Sequence, residues 1–189
     1  MVNYRHLTFL PFFLAAALVL LIPMKSKAID QSNAAETKQL FRQLGITSIQ
    51  KTVPLDGMVL DMKGEEVLLS SFRGNVAFLT FWTTWCPSCR VEMPTLQKLY
   101  ARYQGQGFLI LAVNIQEPAA RVAEYFKVQG LSYTSLLDPR GQLALRLGVQ
   151  GVPDTFILDR AGMVVGRAVG SRHWDSPEGR QLIELLLNE

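Results

Sequence analysis

The chain has 189 residues, 49% of them hydrophobic and 19% charged, with no compositionally biased tract; this supports one packed core and excludes disorder over most of its length. Nineteen Lys and Arg face 16 Asp and Glu, but Arg5, Lys25 and Lys27 fall in the first 28 residues, where there is no acid, so the rest balances at 16 against 16. A neutral body lacks the basic face that nucleic-acid binding requires, and two cysteines three apart cannot staple a disulfide-rich scaffold.

Leu7 to Met24 is an uncharged 18-residue run broken only by Thr8, Pro11 and Pro23. As a helix it would span about 27 Å, the lower edge of a membrane crossing. With the flanking positive charges it reads as an export segment, residues 1–28, either an uncleaved anchor in the cytoplasmic membrane or a signal peptide cleaved near Ser26-Lys27-Ala28. No cysteine comes directly after it to carry a lipid. Residues 29–52 read as a polar linker with one short helix outside the main fold, Thr37 to Leu44, stopped by Gly45. The body, 53–189, opens with two strands, Met58-Val59-Leu60 and Val67-Leu68-Leu69, around the turn Asp61-Met62-Lys63-Gly64. Val76 to Trp82 is a nearly continuous apolar run, the mark of a strand covered on both faces. A helix is expected from Pro87 to about Gln104, with a kink at Pro94. Phe108 to Asn114 reads as a strand, Ala119 to Val128 as a helix, Tyr133 to Leu137 as a strand and Leu143 to Leu147 as a short helix. Thr155–Leu158 and Met163–Ala168 form a hairpin around Asp159-Arg160-Ala161-Gly162, and Arg180 to Leu187 closes the chain as a helix. Alternating strands and helices with a hairpin at each end give an α/β fold with a mixed central sheet.

Chemistry concentrates at Trp85-Cys86-Pro87-Ser88-Cys89. Cys86 follows a buried strand and opens a helix, so unpaired N–H groups and the positive dipole end favour its thiolate, the nucleophile of disulfide exchange. Cys89, one turn further in, suits the resolving role. A bridge between them closes a minimal loop and adds little stability, which weighs against a purely structural disulfide. Zinc is disfavoured, since His6 and His173 are the only histidines and two cysteines do not complete four ligands; no metal or other cofactor is expected. A single-cysteine peroxidase is disfavoured because no proline lies in the strand before Cys86.

Phe81-Trp82-Thr83-Thr84-Trp85-Cys86-Pro87-Ser88-Cys89-Arg90 and Gly151-Val152-Pro153-Asp154-Thr155-Phe156-Ile157-Leu158-Asp159 resemble the two signatures of the TlpA/ResA-like branch of the thioredoxin superfamily. The resemblance covers roughly Val53 to Asn188. It implies a thioredoxin-like fold with an N-terminal β-hairpin (53–69) and a strand-helix insertion (117–138). The activity it implies is that of a periplasmic or membrane-tethered thiol-disulfide oxidoreductase, fed by an upstream membrane thiol reductant and reducing protein disulfides such as those of apocytochrome c. It implies a redox-active Cys86–Cys89 disulfide, and a cis-proline at Pro153 whose preceding backbone, at Val152, pairs with the substrate chain. Trp85 and Pro87 join that binding surface, with Trp85 as a lid over the sulfurs and Trp82 in the core. Asp154 departs from the usual threonine and is expected to bring a negative charge beside the site. Glu92, three residues after Cys89 and so on its helical face, matches an acid that in ResA-like members tunes the pair. The position six before Cys86, where many thioredoxins carry an aspartate, is Thr80. The competing view of Glu92 is a surface acid beside Arg90. Reduction is the expected direction; a disulfide oxidant, or a binding module that holds a partner in the cis-proline groove without turnover, are the alternatives.

Overall fold

A computed structural model describes residues 22–49 and 54–189. Residues 7–21 of the apolar run, and with them the expected anchor, lie outside the described residues. Among the described residues no helix is long and apolar enough to cross a membrane. The chain divides into two units, the second running from Thr37 to Glu189.

The first helix, α1 (Ile22–Leu44), takes in residues 29–44 of the stretch expected as a polar linker. Gly45 ends it with φ +63°, and the main-chain N–H of Ile46 turns back to Phe41 O at 2.7 Å. Far from lying outside the main fold, its last turns are core: Leu40 and Phe41 are each 3% exposed. Phe41 fits because residue 166 is glycine, where a Cβ would come within 2.9 Å of the phenyl ring. The second unit therefore starts at Thr37, upstream of the boundary that composition suggests.

That unit is one eight-stranded mixed sheet. Its strands are β1 (Thr47–Ser48), β2 (Met58–Leu60), β3 (Glu66–Leu68), β4 (Val76–Trp82), β5 (Phe108–Ile115), β6 (Thr134–Asp138), β7 (Asp154–Leu158) and β8 (Val164–Val169), in the order β1-β8-β7-β4-β5-β6-β2-β3. β4 runs parallel to β5 and antiparallel to β7, and β5 runs parallel to β6. The helices are α2 (Pro87–Tyr103), α3 (Ala119–Gln129), α4 (Gln142–Arg146) and α5 (Pro177–Leu187), with a 3₁₀ turn at Leu69–Phe72. The hairpin β2–β3 and the inserted α3–β6 pair complete the expected thioredoxin-like architecture.

Every residue of β4 is buried, and its alternation sorts the core into two layers. Val76, Phe78 and Trp82 face α2, α5 and the end of α1, whereas Ala77, Leu79 and Phe81 face α4 and the hairpin. The larger of these side chains, such as Val76, Phe78, Leu79 and Phe81, each contribute about 1.5–3 kcal/mol of apolar stabilisation. Two-sided burial fixes β4 at the sheet centre, and α2 starts five residues beyond it, over the carboxyl ends of the parallel strands. α2 runs on through Pro94. β1 was not legible: two exposed residues carry no periodicity, and they are strand only because they pair with Arg167 and Gly166 of β8.

Candidate active site

Cys86 is the N-cap of α2, in extended geometry (φ −75°, ψ 115°), with Pro87 in the first turn, where its missing N–H costs nothing. Cys86 and Cys89 are joined in a disulfide, with their Cα atoms 5.3 Å apart. The main-chain N–H of Cys89 donates to Cys86 Sγ at 3.1 Å, and Ser88 Oγ lies 3.3 Å from the same sulfur. A helix N-terminus and an N–H donor at this sulfur are the features that favour a thiolate over a thiol. Cys86 keeps 3% exposure and Cys89 none, so of the two cysteines only Cys86 retains any surface.

The Val152–Pro153 peptide bond is cis, and Val152 O lies 3.5 Å from Cys86 Sγ. A cavity of about 330 Å³ opens at this point, lined by Thr83, Trp85, Gln116, Gly151 and Val152 among others. Trp85 is 65% exposed at the cavity wall, a projecting indole on the residue before Cys86. Trp82 is core, 1% exposed and packed on Tyr125 and Phe126 with ring centroids 5.1 and 5.6 Å away.

Glu92 is 1% exposed, which removes the surface-acid reading. Its Oε1 accepts two hydrogen bonds, from the Arg172 main-chain N–H at 3.0 Å and from Trp174 Nε1 at 2.7 Å. Burial pushes its carboxyl up to about 7 from 4.5, against the pull of those two bonds and the Arg172 charge. Thr80, in β4 beneath the site, is also buried, and its hydroxyl bonds that of Thr155 at 2.9 Å. Among the described residues no group of three or more His, Cys, Asp or Glu is assembled to hold a metal ion.

Asp154 corrects the sequence reading. It adjoins Pro153 in sequence, yet strand alternation turns it to the sheet face of Phe156, away from Thr155 and the α2 layer. There Arg167 grips it through Nε (3.0 and 3.2 Å) and Nη2 (2.5 Å), and the guanidinium lies 4.8 Å over the Phe156 ring. The expected negative charge beside the disulfide is thus neutralised on the far face.

Sequence reasoning missed Glu117. Its carboxylate, in the loop after β5, accepts from Thr84 N–H (2.6 Å), Thr84 Oγ1 (2.6 Å) and Asn114 Nδ2 (2.8 Å). Burial would raise its pKa, but the Asn114 and Thr84 hydrogen bonds outweigh that and hold it below the usual carboxylate range. Arg90 Nε donates to Thr84 O at 2.8 Å from the other side, so the residue two before Cys86 is held from both ends. The available signal was position: Glu117 follows the carboxyl end of the strand parallel to β4, where α/β folds collect functional loops.

Residues 49–167 match the model of the AhpC/TSA family. Thiol-disulfide oxidoreductase ResA of Geobacillus thermodenitrificans (strain NG80-2) is 38% identical over 124 residues, 66% of this chain and 71% of that protein. The ResA of Halalkalibacterium halodurans is 42% identical over 78 residues, 41% of this chain and 44% of that one. Among solved structures, a putative thiol:disulfide interchange protein DsbE from Chlorobium tepidum matches with TM-score 0.66 and 30% identity, over 75% of this chain and 99% of that chain. StoA from Bacillus subtilis matches with TM-score 0.57 and 25% identity, over 71% and 98%. A bridged Cys-x-x-Cys pair held against a cis-proline is the equipment that disulfide exchange needs, and the chain belongs to the AhpC/TSA family, among its ResA-like thiol-disulfide oxidoreductases.

Proposed function

We propose that this oxidoreductase reduces disulfides of extracytoplasmic protein substrates, with Cys86 attacking, Cys89 resolving and Glu92 exchanging the proton. The observation that carries this reading is the asymmetry of the pair: Cys86 Sγ accepts the Cys89 N–H at the start of α2 and retains surface, while Cys89 has none. In the dithiol form the Cys86 thiolate attacks one sulfur of a substrate disulfide, forming a mixed disulfide and releasing the other substrate sulfur as a thiolate. Cys89, losing its proton to the Glu92 carboxylate, then attacks Cys86 Sγ and expels the second substrate sulfur as a thiolate, which takes its proton from solvent. Two electrons pass to the substrate and the Cys86–Cys89 disulfide remains. An upstream dithiol returns two electrons, and a protonated Glu92 supplies the proton as Cys89 leaves.

The surface formed by Trp85, Pro87, Val152 and Pro153 is the docking strip for the substrate main chain, a role supported by the exposed indole and the cavity beside it. Export, with residues 7–24 as anchor or signal, is supported by the 18-residue apolar run and the Arg5, Lys25 and Lys27 charges around it. The family resemblance supports apocytochrome c as one substrate and a membrane thiol reductant as the electron source. The deciding experiment is a Cys89→Ala trap, which stalls the mixed disulfide. Substrate proteins should be recovered on Cys86 from the compartment outside the cytoplasmic membrane and released by dithiothreitol. Equal capture on Cys89 in a Cys86→Ala trap refutes the assignment of roles.

A further inference from the structure

Arg172 lies between β8 and α5, in a segment without a helix or sheet ladder of its own to hold it. Its main chain and its side chain serve different masters. The main-chain N–H donates to Glu92 Oε1 at 3.0 Å. The guanidinium reaches the other way, to the end of α1, where Nε donates to Leu44 O at 2.6 Å and Nη2 to Gly45 O at 2.8 Å. Nη1 ties the segment to itself through Gly170 O (3.1 Å) and Ser171 O (3.0 Å). Among the described residues Arg172 makes no ion pair; its charge is spent on carbonyls.

We propose that Arg172 is a positioning residue for Glu92: its guanidinium, clamped on the carbonyl end of α1, fixes the main-chain donor that holds the Glu92 carboxylate on the turn of α2 after Cys89. The inference rests on the proton-exchange role proposed for Glu92. The physical basis has three parts. The last carbonyls of a helix have no internal partner and carry the negative dipole end, so a planar guanidinium that forks across the last of them, Leu44 O, and the next carbonyl, Gly45 O, is an anchor that a single ammonium cannot copy. Gly45 is built for this contact, since in its left-handed conformation a Cβ would stand 3.2 Å from Arg172 Nη2. Finally, both donors to Glu92 come from one short segment, Arg172 and Trp174, and both fall on Oε1. With Oε1 taking two donors and Oε2 accepting no hydrogen bond from a described residue, the exchangeable proton belongs on Oε2. A shift of the segment would therefore change both the carboxyl's affinity for the proton and the oxygen that bears it.

Among the described residues, the charged and titratable groups facing Glu92 come from three places. α2 contributes the cysteine pair one turn earlier, the Arg172 segment contributes its guanidinium, and the residue before β6, Tyr133, contributes a buried phenol that burial and then the Tyr125 and Glu92 charges hold up. His173, between Arg172 and Trp174, is exposed.

The test measures both steps of the reaction of the reduced full chain with a chromogenic aromatic disulfide, from about pH 5 to 9, beside thermal unfolding. The variants are Arg172→Gln, Arg172→Lys and Gly45→Ala, each alone and with Glu92→Gln. Arg172→Gln should raise the midpoint of the Glu92-dependent limb by roughly 0.5–1 pH unit, because a cation that favoured the carboxylate is gone. Arg172→Lys keeps the charge but not the fork, and Gly45→Ala disturbs the anchor while leaving Arg172 and Glu92 intact; both should displace the midpoint from the parent's. All three displacements should vanish in the Glu92→Gln background. Lower melting temperatures with an unchanged profile overturn the proposal, since Arg172 is then only a helix cap. A parent-like profile in Arg172→Lys also overturns it, because charge alone suffices. If Arg172→Gln does not fold, Arg172→Lys and Gly45→Ala carry the same decision. A Glu92→Gln single variant with the parent's profile instead removes the role given to Glu92, and this inference with it.

Discussion

Glu92→Gln isolates the cost of burying an ionised carboxylate in this fold. Burial raises the Glu92 carboxyl from 4.5 to about 7, so between those values the folded chain holds a proton that the unfolded chain has released. Stability from this group is fully present below about pH 4.5 and is lost as pH rises through about 7. The climb corresponds to about 3 kcal/mol. Glutamine keeps an oxygen to accept from Arg172 and Trp174 and removes the titration. The unfolding free energy of the parent minus that of the variant should therefore fall by about 3 kcal/mol between pH 4.5 and 8, then stay level. For a domain of this size that is roughly 6–12 °C in relative melting temperature. The assay is urea unfolding of both oxidised proteins at several pH values, in which all other titrating groups cancel in the difference. A difference that stays constant across this range would falsify the raised pKa and, with it, the proton reservoir near neutrality.

Further outcomes follow from other contacts. In the reduced protein an alkylating reagent should modify Cys86 at least about tenfold faster than Cys89, because Cys86 alone has surface and a helix N-terminus beside it; peptide mapping after a short pulse reads this, and comparable rates contradict it. Arg167→Ala should cost about 3–5 kcal/mol, since it strands the buried Asp154 carboxylate. Adding Asp154→Thr should restore most of that loss in urea unfolding, and a double variant no better than the single one refutes the pairing. Phe41→Ala should cost about 3–5 kcal/mol; a loss below about 1 kcal/mol would mean that α1 is not part of the core. Glu117→Ala, which leaves the Thr84 and Asn114 donors unpaired, should cost about 1–3 kcal/mol and broaden the Thr84 and Trp85 amide resonances.

What the sequence made legible depended on the range of the force involved. Val76–Trp82 and the cysteine pair could be read because a doubly covered strand and a helix N-cap leave local signatures: an apolar run, then Cys-Pro at the turn. The packing of α1 could not be read. Residues 29–36 are polar, and Leu40 and Phe41 are drawn into the core by a glycine at position 166, which no local window contains. Glu92 was legible as an acid on the turn after Cys89, but its burial was not, because the residues that cover it, Arg172 and Trp174, lie some 80 positions away.

Asp154 shows where local reasoning misled although a rule was at hand. Adjacency to Pro153 suggested a charge near the sulfurs, but a strand sends neighbouring side chains to opposite faces. Extending the strand read as Thr155–Leu158 back by one residue puts position 154 in step with Phe156 and Leu158, on the face away from α2, and leaves Thr155 facing Thr80. An acid on that face has no water and needs a cation. The cross-strand partner region on β8 supplies Arg167, itself in step with Phe156. The charge that distinguishes this chain from the usual threonine therefore acts on the sheet face away from the α2 layer, where Arg167 neutralises it.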